Sequence, residues 1–146
     1  MRLCYSNCRR LSLGTLLGLL MVSLSGCSNQ PSDGAVLAPV RGVVTIDGKP
    51  QESIKVLFEP QSNFGPSWGK TNSEGEFELF YSRTHQGAVV GSHRVQFQRI
   101  DGASPEGASQ PVKPIPRQYA LGSAGFAVEV SEGTENDFSF ELSDKQ

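Results

Sequence analysis

Val40-Arg41-Gly42-Val43-Val44-Thr45-Ile46-Asp47-Gly48-Lys49-Pro50, followed by Ile54-Lys55-Val56-Leu57-Phe58-Glu59-Pro60, decides the fold class. Val40, Gly42, Val44 and Ile46 recur every second residue, as do Ile54, Val56 and Phe58. A period of two predicts strands with one buried and one solvated face, whereas a helix would repeat near 3.6. Asp47-Gly48 between the two runs predicts a tight turn, because both residue types tolerate a positive φ.

The same alternation continues along the chain. Trp68 to Thr71 reads as a short strand, Asn72-Ser73-Glu74-Gly75 as a turn, and Phe77 with Leu79 as a strand whose other face carries Glu76 and Glu78. Ser82 to Gly91 reads as a loop with some extended residues. His93, Val95 and Phe97 face one way and Arg94, Gln96 and Gln98 the other. Phe126, Val128 and Val130 form the next strand, and Phe138, Phe140 and Leu142 the last. The expected fold is an all-β, seven-stranded antiparallel sandwich over residues 39–143, with Phe58, Phe77, Phe97, Phe126, Phe138 and Phe140 pointing inward. Fully burying each large apolar side chain contributes about 1.5–3 kcal/mol. Asp101 to Pro116, rich in Gly, Pro and Ser, reads as a connector too polar for a core element.

The N-terminal end has a different grammar. Arg2, Arg9 and Arg10 precede the uncharged run Leu11 to Leu24, which is shorter than the roughly 20 residues needed to span a bilayer as a helix. This is the layout of a signal peptide, expected as a helix over residues 1–26. The run ends in Leu24-Ser25-Gly26-Cys27, and here the chain resembles the bacterial lipoprotein signal, whose lipobox is Leu, a small residue, Gly or Ala, then Cys. The resemblance implies cleavage between Gly26 and Cys27 and a diacylglycerol joined to the Cys27 sulfur, with acyl chains as the only attached group and no other cofactor. Each buried acyl CH₂ contributes about 0.8 kcal/mol, and two or more chains give stable anchoring. The membrane lipid is thus a partner, and the expected location is the cell membrane or outer membrane, facing periplasm or exterior. Ser28 in place of Asp after the cysteine favours the outer membrane. Residues 27–38 read as a flexible tether.

Charge and cysteine content narrow the function. All 15 acidic residues lie beyond Cys27, so the remainder is more acidic than the whole chain's net charge of -2. Its Lys and Arg are scattered, which argues against nucleic acid as a partner. Cys4 and Cys8 fall in the leader, so the domain is expected to have neither a disulfide nor a thiolate metal cluster.

Val40–Pro50, Val56–Pro60, Thr71-Asn72-Ser73-Glu74-Gly75-Glu76-Phe77, Gly91–Val95, Ile115–Tyr119 and Asn136–Leu142, in this order behind a lipobox, resemble the bacterial carboxypeptidase regulatory-like domain. That domain is a transthyretin-like (prealbumin-type) sandwich with Ig-like architecture. Asn72 stands where the family usually has Asp. The resemblance implies a fold and a role as a binding, adhesion or scaffold module, not a reaction.

No catalytic residue is expected. His93, at an inward position, reads as a partly buried, hydrogen-bonded histidine, and His85 as a loop residue. Two histidines without Cys partners or an H-x-x-x-H spacing do not read as a zinc site. Asp47, Glu74 and Asp101 read as turn residues in preference to calcium ligands. A hydrolase of 5-hydroxyisourate shares the transthyretin-like fold and ends in Tyr-Arg-Gly-Ser. This sequence closes on Leu142-Ser143-Asp144-Lys145-Gln146, so that activity is the least favoured alternative. No G-x-S-x-G or phosphate-binding glycine loop is present. Trp68, with Phe64 and Tyr81, is the candidate aromatic platform for a glycan or peptide, although core packing is the commoner fate of a tryptophan. The module's candidate partners are an envelope protein or a glycan.

Overall fold

The computed structural model describes residues 31–100 and 113–143, so the expected leader helix, Cys27 and most of the 101–116 connector lie outside the described residues. The described chain is all-β. Its strands are β1 (Leu37–Ala38), β2 (Val40–Ile46), β3 (Lys49–Pro50), β4 (Ile54–Pro60), β5 (Ser67–Lys70), β6 (Glu76–Glu78), β7 (Ala88–Val89), β8 (Gly91–Arg99), β9 (Phe126–Val130) and β10 (Asn136–Leu142), with one 3₁₀ turn at Arg117–Tyr119.

One sheet runs β5-β4-β8-β9, all antiparallel, and a second runs β10-β2 with β3 and β6 both paired to the far side of β2. β1 and β7 form a small third pair. Two expectations are corrected. Among the described residues there are ten strands rather than seven, because two-residue pairings at 37–38, 49–50 and 88–89 are too short to leave a periodic trace. The sheets are not wholly antiparallel: β10 lies parallel to β2 over its whole length, Asn136 opposite Val40 and Leu142 opposite Ile46. First and last long strands meet only after the chain has closed on itself, and no local turn dictates their direction.

The alternation places the core as expected. Val40, Val44, Ile46, Ile54, Val56, Phe58, Phe77, Leu79, Val95, Phe97, Val130, Phe140 and Leu142 are buried, with Phe126, Val128 and Phe138 half-buried against them. Phe58 of β4 is the meeting point of the two sheets. Its ring lies 5.7 Å from Phe138, 6.2 Å from Phe140 and 6.5 Å from Phe77 across the interior, and 5.7 Å from His93 on its own sheet.

Turn chemistry sets the register. Asp47 and Gly48 take φ of 49° and 74°, the pair of positive values that a two-residue hairpin turn matching strand twist requires. The Asn72 side-chain oxygen accepts from the N–H groups of Glu74 and Glu76, both at 2.9 Å, so the amide does at this turn what an aspartate would. Gln96, expected on the solvated face, is buried. Residues 118–125 fold over it, and its amide donates to the Ser123 carbonyl at 2.6 Å. The packed region also begins before Pro39. Ala35 and Ala38 are fully buried, and Asp33 accepts from the Tyr81 hydroxyl, which shortens the expected 27–38 tether at its distal end.

Phe58→Ala removes the ring that both sheets share. It is expected to destabilise the domain by about 3–5 kcal/mol, read as a lower urea midpoint.

Candidate functional site

Trp68 sits in β5 between Ser67 and Gly69, both buried, so alternation turns its indole outward. It is 48% exposed, which corrects the core-packing expectation. The strand is held rigidly. The Trp68 N–H donates to the Phe80 carbonyl at 3.0 Å and the Phe80 N–H returns a bond to Trp68 at 2.9 Å. This antiparallel bridge ties the edge of the first sheet to the segment following β6. Gly69 permits the approach, because a Cβ there would lie 2.2 Å from the Glu78 carbonyl oxygen. Phe80, partner of Trp68 in the bridge, is also exposed on the same surface.

A shallow groove of about 720 Å³ runs from this pair over the outer face of the second sheet, with Trp68, Phe80, Lys70, Arg41, Glu76 and Glu78 among its walls. Phe64 and Tyr81 do not line it. Tyr81 turns instead toward the N-terminal segment, where its hydroxyl donates to Asp33 and receives the Gly65 N–H at 3.4 Å. That bond holds the Asp33 carboxyl below its ordinary range and pushes the Tyr81 hydroxyl up. Of the three expected platform residues only Trp68 lies in the groove, and the aromatic it meets is Phe80. Phe80 was legible in principle, since Phe77 and Leu79 face inward and put residue 80 on the other face.

Charges in the groove are mostly committed. Arg41 binds Asp137 through Nε at 2.7 Å and Glu135 at 2.8 Å. These contacts hold the Asp137 carboxyl below its usual range and the Arg41 guanidinium above its own. Glu78 stands opposite Arg41 in the ladder and accepts from the Gln86 amide at 3.1 Å. The Lys55 ammonium lies 5.4 Å from the Trp68 ring centroid, a cation–π contact that braces the indole. The result is a rigid, half-exposed aromatic beside planar polar groups, suited to stacking and hydrogen bonding with a ligand.

His93 is fully buried, beyond the partial burial expected, and its Nδ1–H donates to the Gly91 carbonyl at 2.9 Å. Its Nε2 has no hydrogen-bond partner among the described residues. Burial pushes its pKa below the ordinary 6.5, partly opposed by the Gly91 bond and the charge of Glu129. His85 bonds through Nδ1 to the Ser82 hydroxyl at 2.7 Å, in a loop away from His93. Among the described residues no three His, Cys, Asp or Glu side chains cluster as metal ligands, and no helix is long and apolar enough to cross a membrane.

Compared with protein-family models, with curated proteins and with solved structures, the chain matches none.

Two outcomes follow from these placements. The sole tryptophan should be readily quenched by iodide in the folded protein, and Trp68→Ala should change stability by less than about 1 kcal/mol. Burial lowers the His93 pKa in the folded protein below the 6.5 of the unfolded chain, so the unfolded chain binds the proton more readily and stability should fall as pH drops through about 6.5. In His93→Leu that slope should flatten, measured by urea titration at each pH.

Proposed function

We propose that this protein is a lipid-anchored lipoprotein of the cell envelope whose prealbumin-like sandwich acts as a non-catalytic binding module. Support for the anchor is the Arg-bearing n-region, the apolar run and Leu24-Ser25-Gly26-Cys27. Support for the module is two four-stranded sheets that share one aromatic core while an outer groove keeps Trp68 and Phe80 half-exposed. The observation that carries the binding role is the outward Trp68, fixed by a double backbone bridge and the neighbouring Gly69. Exposing an indole forfeits burial energy that a core position would supply, and a rigid exposed aromatic is characteristic of a contact surface.

A glycan is the second reading, favoured by the composition of the groove. The indole offers a flat apolar surface to the C–H face of a pyranose, and Glu76, Glu78 and Lys70 offer donors and acceptors to its hydroxyls. Such a ligand would be held by fixed strands and need little ordering on binding.

Mass spectrometry of the mature N-terminus, combined with membrane fractionation, tests the anchor. The expected form begins at an acylated Cys27, and Cys27→Ser should leave the membrane fraction. A mature form starting elsewhere would overturn the lipoprotein reading. For the glycan, retention on insoluble envelope polysaccharide should drop at least tenfold in Trp68→Ala. Equal retention of the two proteins would remove Trp68 from the binding role.

A further inference from the structure

Among the described strands, β10 is the edge strand of the second sheet. The Asn136 N–H bonds to the Pro39 carbonyl and the Leu142 carbonyl accepts from the Asp47 N–H, so the backbone groups of 136, 138, 140 and 142 face β2. Backbone polar groups alternate sides along a strand, and those of Asp137, Ser139 and Glu141 therefore face away from β2. No described strand pairs with that side. The side chains of these three residues are exposed and lie on one outer face, while Phe138 between them is half-buried and points inward.

The charges on this edge select what can pair with it. Glu135, Asp137 and Glu141 are acidic, and among the described residues Arg41 is the cation paired with Glu135 and Asp137. In an antiparallel pairing with a second copy centred on Ser139, Asp137 would face Glu141 of the other copy, twice. Like charges directly opposite in a ladder are destabilising. A strand with Lys or Arg at those positions would find carboxylates there instead, and its alternate apolar residues would meet Phe138 and the half-buried Val128 of β9.

We propose that the β10 edge is a strand-addition site for an extended, basic segment of a partner protein, with Lys or Arg alternating with apolar residues. The site adjoins the Trp68 groove, whose wall includes the Asp137 side chain, but it binds through the outer backbone groups of β10, and it is distinct from the lipid anchor. Its failure would leave both of those readings standing, and theirs would leave this one.

The test uses the full chain in detergent with two seven-residue peptides, one alternating lysine and valine, the other glutamate and valine. The lysine peptide should bind, more weakly at high salt, and shift the amide resonances of Asp137, Ser139 and Glu141. The glutamate peptide should not bind. Ser139→Pro removes an N–H that β2 does not use, so the sheet should persist, by an unchanged circular dichroism spectrum and urea midpoint, while affinity falls at least tenfold. Glu141→Lys should weaken lysine-peptide binding to a similar extent. Equal binding of the two peptides, undiminished binding to Ser139→Pro, shifts confined to Trp68 and Phe80, or a wild-type dimer joined through β10 would each overturn the proposal.

Discussion

The contact on which the structure depends is that of Phe58 with the aromatic rings of the opposite sheet. β4 lies at the middle of its sheet, between β5 and β8, so Phe58 cannot move without displacing both neighbours. Across the interior it meets rings contributed by β6 and β10, elements separated widely in sequence. The apolar interior is continuous through this point. Phe140 touches Phe97 and Phe126 at 5.3 Å on one side and Phe77 at 6.2 Å on the other. With no cysteine among the described residues, cohesion comes from burial and close packing rather than from covalent cross-links.

The parallel pairing of β10 with β2 arranges the outer face of the second sheet. It sets Asp137, Arg41 and Glu78 in one row across the outer face, with Ser139, Val43 and Glu76 in the next. The first row holds the Arg41–Asp137 ion pair with Glu78 beside it, and the second leaves Glu76 to the groove. The far side of β10 pairs with no strand among the described residues. Asn136 begins the strand as a latch. It is buried, its side-chain oxygen accepts from the Ser131 N–H, and its amide donates to carbonyls of Ser131, Thr134 and Pro39. The latch ties the 131–135 turn to the start of β2 and sets the register for the six residues that follow.

Trp68 and His93 show two ways in which one alternating pattern places a polarisable ring. His93 falls on the inward phase of β8 and is enclosed with one nitrogen satisfied by a backbone carbonyl. Trp68 falls on the outward phase of β5, because the inward phase there is taken by Ser67 and Gly69. Small inward residues let β5 and the segment after β6 approach each other, and the large ring is left on the surface. Residue size on one face of the strand therefore determines exposure on the other.

Alternation in the sequence alone determined that the domain is β, which residues enter the core and where the principal turns fall. Each of these depends on local geometry: side chains alternate with a period of two, and Asp47-Gly48 and Asn72 act within a few residues of themselves. The resemblance of Leu24-Ser25-Gly26-Cys27 to a lipobox is likewise local, a matter of four neighbouring residues. Tertiary structure decided the direction of β10, the burial of Gln96 beneath residues 118–125, the replacement of Phe64 and Tyr81 by Phe80 beside Trp68, and the early start of the packed region at Ala35. All four join segments distant in sequence. A strand's own pattern shows which face is apolar and says nothing of which strand lies beside it, because the backbone groups that choose the neighbour are the same in every residue but proline.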